Sequence, residues 1–203
     1  MKIGIIGIGN VGLQVLKDLS LNVKIKNILS VEKILVRDKE KYLKVLDSEF
    51  GSDNNFSKKL TDDFNNFINS DISIVVELIG GMNPAKEYVE KSILSGKNVV
   101  TANKEIISNS IDNLTKLADS KNVKLRFEAA VGAGIPLIEV LIDMLEQNNI
   151  SKITGIINGT SNYILSSMHN SDKTFNESLK EAQDLGFAES DPTNDVGGFD
   201  AKF

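Results

Sequence analysis

The stretch KIGIIGIGNVG, residues 2–12, decides the fold of this chain. A mostly apolar run over residues 2–6 leads directly into the pattern GxGxxG at residues 7–12, and apolar residues then recur at helical spacing over residues 11–19. This order predicts a strand, a tight turn and a helix. In such a unit the glycines let the backbone turn tightly and approach a pyrophosphate, whose charge meets the N–H groups at the helix start. The stretch therefore predicts a dinucleotide-binding site.

Three further segments predict strands that alternate with helices. Ile34–Val36 and Asn98–Thr101 are short runs, and Asp71–Gly81 is a β-branched run typical of a strand buried on both faces. Pro84 starts a helical segment that ends at Gly96, which matches the preference of helix termini for these two residues. This alternation predicts an α/β fold with a doubly wound parallel sheet.

The second half of the chain has a different pattern, without a linker or an internal repeat. We predict a strand, a helix, a second strand and two more helices, at residues 123–130, 137–145, 150–157, 162–168 and 175–185. Gly186 is the expected cap of the last helix. The change of pattern near residues 132–136 predicts a dinucleotide-binding domain over residues 1–133 and a second domain over residues 134–203.

Composition narrows the classes of function. The 203 residues carry a formal net charge of −5, with 41% apolar and 25% charged residues, which is ordinary for a folded globular chain. No basic run offers a footprint for nucleic acid or an anionic membrane, and no stretch has the roughly 18 apolar residues of a membrane helix. The absence of cysteine excludes a thiolate nucleophile and suits a reducing cytosol, and a single histidine argues against a histidine-rich metal centre. We therefore expect a cytoplasmic protein with a small-molecule partner.

The residues after the second predicted strand bear on the choice of cofactor. This strand ends in Arg37, with Asp38 next. An acidic residue at this place holds the ribose 2′-hydroxyl of NAD, whereas an arginine accommodates the 2′-phosphate of NADP. Either Arg37 contacts that phosphate or it is a solvated charge after a strand. We expect NADP, with NAD as the alternative.

Polar residues also follow the later segments. Lys104, in the run TANK at residues 101–104, comes after a strand whose carboxyl end should face the ligand. It donates a proton, binds a carboxylate, or is a surface lysine. The acidic segment at residues 189–200 is either a solvated loop or a site for a cationic group or for orienting a proton-transfer lysine. His169, at the end of a predicted helix, is expected at the surface.

Six segments, taken together and in order, carry a resemblance to a known family. They are GIGNVG (7–12), VVELIGG (75–81), TANKE (101–105), FEAAVGAGIP (127–136), GIINGTSNYIL (155–165) and EAQDLGFAESDPTNDVGGFDAK (181–202). The chain thereby resembles homoserine dehydrogenase over essentially its whole length. The resemblance implies a Rossmann-type domain followed by an α+β catalytic domain. It also implies NAD(P)-dependent interconversion of L-homoserine and L-aspartate 4-semialdehyde, on the route to threonine, methionine and isoleucine.

The resemblance implies roles for individual residues. The residues implied to hold the cofactor are Gly7, Gly9, Asn10, Val11, Gly12, Arg37, Lys104, Gly186 and Glu189. Those implied to bind the substrate are Glu189, Asp195 and Asp200, and the implied catalytic residues are Lys104 and Asp200. A monovalent cation, Na⁺ in the first place, would be bound by Glu128 and the backbone carbonyls of Val131, Ala133 and Ile135.

The resemblance also bears on assembly and extent. Family members are commonly dimers through the catalytic domain, so a homodimer is expected for the full-length enzyme. The family's proton donor is a lysine four positions beyond Asp200, and the present chain ends at Phe203. We therefore expect an incomplete catalytic domain and little turnover by these 203 residues alone.

Two other classes of function share the first motif. An NAD(P)-binding sensor would need only the glycine loop, and the TANK run and the acidic segment argue against it. An aspartate-type amino-acid dehydrogenase would share the first domain, but NGTSNY at residues 158–163 and the acidic segment together argue against that class.

Overall fold

A six-stranded parallel sheet forms the first part of the chain. The computed structural model describes residues 1–132, 134–188 and 191–202. The strands are β1 (Lys2–Ile6), β2 (Ser30–Leu35), β3 (Leu60–Thr61), β4 (Ile74–Glu77), β5 (Asn98–Thr101) and β6 (Leu125–Arg126). Their order is β3-β2-β1-β4-β5-β6, with every neighbouring pair parallel. β1 pairs with both β2 and β4, so the strand order reverses beside β1, where open α/β sheets bind their ligands.

Helices cover both faces of this sheet. They are α1 (Asn10–Leu21), α2 (Val23–Lys26), α3 (Lys39–Phe50), α4 (Phe64–Ile68), α5 (Ala85–Leu94) and α6 (Lys104–Ser120). Side chains alternate along β1, and Ile3 and Ile5 belong to one buried cluster with Leu16 of α1 and Leu46 of α3. Ile6 belongs to a second cluster, which contains buried apolar residues of α4, α5 and α6, among them Phe67, Val89 and Ile106. The doubly wound α/β fold predicted from the sequence is confirmed.

The chain divides into two compact units, Met1–Glu139 and Val140–Phe203. The remaining helices are α7 (Ile138–Gln147), α8 (Gly159–Ser171), α9 (Phe175–Asp184), α10 (Thr193–Val196) and α11 (Phe199–Lys202). In the second unit, α8 and α9 pack around a small buried cluster of Ile164, Ala182 and Ala188.

Both ends of α9 follow helix-terminus chemistry. Thr174 and Glu177 form a capping box at its start. At its end Gly186 has φ +78°, and the N–H of Phe187 donates to the carbonyl of Ala182 at 2.8 Å. A left-handed residue followed by this bond is the usual glycine cap, so the expected role of Gly186 as a helix cap is confirmed.

The structure corrects several details of the predicted elements. Residues 150–157 are not a strand, and Ile153, Ile156 and Ile157 are 69–76% exposed. An extended segment becomes a strand only beside another one, and among the described residues none pairs with this segment. The strand predicted over residues 123–130 shrinks to Leu125–Arg126, and the one predicted over Asp71–Gly81 shrinks to Ile74–Glu77. β3, α4 and α6 were not predicted at all. In the described part of the chain no helix is long and apolar enough to cross a membrane.

Candidate active site

The three glycines of the loop after β1 meet three different environments. A Cβ atom on Gly7, where φ is +88°, would lie 2.3 Å from Cγ2 of Ile79, and one on Gly12 would lie 2.3 Å from the carbonyl oxygen of Gly7. A Cβ atom on Gly9 would meet nothing within 4 Å. Gly7 therefore serves the tight turn, Gly12 allows α1 to approach the backbone at Gly7, and Gly9 faces open space.

The start of α1 is open to an anion. Gly9 is its N-cap residue and offers no side-chain hydrogen bond, and the first turn contains no acidic residue. The next two residues, Asn10 and Val11, are exposed. Unsatisfied N–H groups and the positive end of the helix dipole attract phosphate groups. Together with the space above Gly9, this helix start fits the pyrophosphate of a dinucleotide.

Two charged residues follow β2, and only the negative one makes a hydrogen bond that caps a helix. Arg37 is exposed. Asp38 is the N-cap of α3, and its carboxylate accepts a hydrogen bond from the backbone N–H of Lys41 at 2.9 Å. The acid that follows β2 is thus engaged in capping a helix, and the arginine faces solvent at the carboxyl edge of the sheet.

A buried polar network lies at the ends of β4 and β5. Glu77, the last residue of β4, has no exposed surface. Its carboxyl group accepts hydrogen bonds from the hydroxyl of Thr101 and, at 2.8 Å, from the backbone N–H of Ile79. Burial raises the pKa of Glu77, and the hydrogen bonds from Thr101, Ile79 and Asn103 oppose that rise only in part.

Asn103 connects this network to the start of α6. Its side-chain amide donates to the carbonyls of Ile79 and Gly81, each at 2.8 Å, and its side-chain oxygen caps α6 by accepting from Ile106 N–H at 3.1 Å. Lys104 is the first residue of α6 and is half-buried. The lysine predicted from the TANK run thus stands next to an anchored asparagine, at the carboxyl edge of the sheet.

Sequence reasoning assigned no role to Glu77 or Asn103. A signal for Glu77 was present, because a glutamate inside a β-branched run that is buried on both faces must find hydrogen-bond partners there. For Asn103 the signal was its place immediately before a helix, a position that favours asparagine. That helix, α6, was not recognised, so its cap was missed.

The acidic segment of the second unit is partly engaged in local hydrogen bonds. Asp195 in α10 is half-buried and accepts from the side-chain amide of Asn158 at 2.9 Å. Asn158 also caps α8 by accepting from Ser161 N–H. Asp200 lies half-buried in α11. Glu189, expected at the substrate, lies outside the described residues. His169 is exposed in the last turn of α8, as expected.

Glu128 of the expected cation site caps a helix. Its Oε1 accepts from the backbone N–H groups of Leu137 and Ile138, and its Oε2 accepts from that of Glu139 at 2.9 Å. These bonds, with the one from Glu139 first, lower the pKa of Glu128. Two carboxylate oxygens have about four acceptor positions, so one position remains for a cation.

The other ligands of that expected site are backbone carbonyls. Val131 is half-buried and Ile135 is 62% exposed, and the intervening Gly132 and Gly134 have positive φ. Ala133 lies outside the described residues. Within residues 1–132, 134–188 and 191–202, no group of three or more histidine, cysteine or acidic side chains could hold a metal ion.

The strand order, the glycine loop and the open start of α1 define a class of protein: a Rossmann-type, dinucleotide-binding α/β protein. Two family models divide the chain between them. "Homoserine dehydrogenase, NAD binding domain" matches residues 7–128, and "Homoserine dehydrogenase" matches residues 136–203. The chain belongs to the homoserine dehydrogenase family.

Individual relatives agree with this assignment. The homoserine dehydrogenase of Lactococcus lactis is 41% identical over 100% of this chain and 47% of its own length. A crystal structure of the enzyme from Thiobacillus denitrificans has a TM-score of 0.84 at 40% identity and covers 99% of this chain and 46% of that one. A hyperthermophilic archaeal homoserine dehydrogenase in complex with NADPH has a TM-score of 0.82 at 29% identity, covering 98% of this chain and 66% of that one. The chain spans about half the length of the curated relatives it matches.

Proposed function

We propose that this chain binds NADP(H) and contributes the cofactor site, and part of the substrate site, for the interconversion of L-homoserine and L-aspartate 4-semialdehyde. The observation that carries the proposal is the open, uncapped start of α1 above Gly9, in a chain of this family. The proposed cofactor contacts are those implied by the resemblance, with the glycine loop at the pyrophosphate.

The preference for NADP rests on the end of β2. Arg37 is exposed there, while the neighbouring Asp38 accepts the N–H of Lys41. A guanidinium group binds a phosphate through paired charge-assisted hydrogen bonds. The proposal therefore places the 2′-phosphate of NADP against Arg37. The archaeal relative whose structure contains NADPH is compatible with this choice.

The reaction needs orientation and one proton. The nicotinamide, when bound, supplies or accepts the hydride at its C4 position. The protein must hold the substrate carbon against it and manage the proton on the substrate oxygen. We assign Lys104 to the carboxyl edge beside the nicotinamide and substrate, and Asp200 to the substrate side. Glu189 is the proposed ligand of the substrate amino group, and Asp195 and Asp200 are the proposed further acids on the substrate side.

A monovalent cation, in the first place Na⁺, is the second part of the proposal. Its ligands would be one free position on the Glu128 carboxylate and the carbonyls of Val131, Ala133 and Ile135. Carboxylate and carbonyl oxygens are suitable ligands for a hard cation. Its bound state would stabilise the segment that leads into α7. The readout is a rise in melting temperature with NaCl that choline chloride does not reproduce and that Glu128→Gln abolishes.

A homodimer of the full-length enzyme is the third part of the proposal. Exposed apolar side chains at Ile153, Ile156 and Ile157, which lie close together in the sequence, support it, because patches of exposed apolar surface mark interaction sites. Light scattering after size-exclusion chromatography of the full-length protein measures its mass. A monomer across the micromolar range would contradict this part alone.

Ordered ligand binding tests the function. The purified chain is titrated with NADPH and NADH, and then with L-homoserine in the presence of NADP⁺. We expect tighter binding of NADPH than of NADH, and homoserine binding that depends on the nucleotide and is lost in Lys104→Ala and Glu189→Ala. Binding of nucleotide without any homoserine response would favour the sensor. A response to L-aspartate instead of homoserine would favour the aspartate-type dehydrogenase.

A further inference from the structure

Glu77 is a buried acid to which neither the sequence nor the proposed cofactor contacts assign a task. It ends β4 with no exposed surface, among the largest fully buried side chains of the described chain. Burying a carboxyl group costs free energy unless hydrogen bonds compensate, and an apolar side chain of similar volume often serves stability as well or better. Stability alone therefore does not account for a buried glutamate here, and the groups that hydrogen-bond to Glu77 indicate its role.

The carboxyl group of Glu77 joins two neighbouring strand ends. One oxygen accepts the N–H of Ile79, which fixes the first turn of the chain after β4. The other accepts the hydroxyl of Thr101 at the end of β5. The same hydroxyl oxygen accepts the N–H of Asn103 at 3.0 Å, which leaves its hydrogen for Glu77. Thr101 thus relays the position of Glu77 to the residue before α6.

Asn103 closes the network on the segment after β4. Its amide donates to the carbonyls of Ile79 and Gly81, so this segment is held at its N–H by Glu77 and at two carbonyls by Asn103. The same side chain caps α6, in which Lys104 is the first residue. The four-residue segment 78–81 and the start of α6 are therefore fixed to each other through polar side chains that are buried.

The segment 78–81 stands against the glycine loop. The N–H of Leu78 donates to the carbonyl of Ile6 at 2.9 Å, and Ile79 occupies the space that a Cβ atom on Gly7 would need. The sheet order is β2-β1-β4-β5, with Arg37 after β2 and the pyrophosphate loop after β1. A dinucleotide that lays its adenosine end at β2 and its pyrophosphate at β1 must therefore place its other end at β4 and β5.

We propose that Glu77 is a positioning residue that, through Thr101 and Asn103, sets the nicotinamide-side wall of the cofactor site, formed by residues 78–81 and the start of α6. The inference rests on the proposed binding of NADP(H). Its consequence is selective. Loosening the network weakens the hold on the nicotinamide half of the cofactor and leaves the adenosine half, at β1 and β2, unchanged.

The test compares two ligands in the full chain. NADPH reports on both halves of the site, and adenosine 2′,5′-bisphosphate reports on the adenosine half alone. The matched variants are Thr101→Val, which removes the hydroxyl at nearly constant shape, and Thr101→Ser, which keeps it. The third variant is Glu77→Gln. Its amide group keeps one acceptor oxygen and replaces the other oxygen by an NH₂ donor, so one of the two hydrogen bonds that Glu77 accepts is lost.

We expect Thr101→Val and Glu77→Gln to bind NADPH about tenfold more weakly and adenosine 2′,5′-bisphosphate within about twofold of the wild-type affinity. The fluorescence of bound NADPH, which reports the surroundings of the nicotinamide, should move toward that of the free cofactor. Thr101→Ser should restore both readouts. Retained binding of the bisphosphate shows that the variants are folded.

Two results would overturn the positioning role of Glu77. Equal loss of both ligands would mean that Glu77 and Thr101 merely support the fold, and wild-type NADPH affinity in Thr101→Val would remove the positioning role. Either result overturns this inference and leaves the proposed cofactor site standing. If the wild-type chain binds neither ligand, the proposed function fails, and this inference fails with it.

Discussion

A Cβ atom placed on Gly12 would lie 2.3 Å from the carbonyl oxygen of Gly7, so the first turn of α1 packs closely against the backbone of the turn that follows β1. The neighbouring glycine of the motif, Gly9, faces open space and has φ −66°, a value that any residue adopts. The same three-glycine motif therefore contains one position that serves packing and another that serves a ligand. Substitutions at Gly12 and Gly9 therefore test the stability of the fold and the binding of the cofactor separately.

Substitution of the two glycines by alanine should divide the two functions. We expect Gly12→Ala to lower the free energy of unfolding by about 2 kcal/mol, because backbone atoms must move to make room. Gly9→Ala should change it by less than about 0.5 kcal/mol but weaken NADPH binding at least about tenfold, because its methyl group enters the pyrophosphate space. Urea unfolding and NADPH titration measure the two effects. Unchanged NADPH affinity in Gly9→Ala would place the pyrophosphate elsewhere.

Removal of the Arg37 guanidinium should change the choice of cofactor. We expect Arg37→Ala to weaken NADPH binding about thirtyfold, as for the loss of a charged hydrogen-bonded pair, and to leave NADH binding within about twofold. Lys44→Ala, on the exposed surface of α3, is the control for the loss of one positive charge. Equal weakening of both nucleotides by Arg37→Ala would argue against a contact with the 2′-phosphate.

The buried Glu77 should make stability depend on pH in a defined direction. Burial raises its folded-state pKa above the ordinary value of 4.5, so the folded chain holds this proton more tightly than the unfolded chain does. This contribution to stability is complete below about pH 4.5 and is lost as pH rises through the raised pKa. We expect the unfolding free energy of the wild type, relative to that of Glu77→Gln, to fall over this window. A difference that stays constant with pH would contradict the raised pKa.

The contribution of Glu128 to stability should change with pH in the opposite direction to that of Glu77. Hydrogen bonds from Glu139, Leu137 and Ile138 lower its pKa, so its contribution is present above about pH 4.5 and is lost as pH falls through the lowered value. Hydrogen exchange of the backbone amides at residues 137–139, corrected for intrinsic rates, measures how well the Glu128 carboxylate protects these amides. Protection should fall in acid in the wild type and be low at every pH in Glu128→Ala. Glu146→Ala, later in α7, should retain the wild-type protection.

Two helix caps in the second unit offer a matched pair. Asn158 caps α8 and holds Asp195, whereas Thr174 caps α9 and contacts Glu177. We expect alanine at either position to lower stability by about 1 kcal/mol. Only Asn158→Ala should also weaken homoserine binding in the NADP⁺ complex, by about fivefold, because Asp195 loses its amide partner. Equal homoserine affinity in both variants would show that Asp195 needs no such support.

Local pattern was enough for four strands of the first unit, β1, β2, β4 and β5, but not for β3, α4 or α6. The run before Gly7, the β-branched run around Ile74–Glu77 and the Asn98–Thr101 segment are strands because their apolar residues can be buried only between helices on both faces. Helix ends were also readable, as at Gly96 and Gly186, because glycine adopts the left-handed conformation that a helix end requires. These are properties of short stretches of chain.

The amino-acid sequence alone was sufficient for most strands of the parallel sheet, for the cofactor loop and for the resemblance to the family, because each of these is carried by short stretches of chain. The tertiary structure decided which polar groups meet. Glu77 and Thr101 are 24 residues apart and join only because β4 and β5 pair in register. It also decided against a strand at residues 150–157, since strand pairing is a contact with a partner that no local pattern contains.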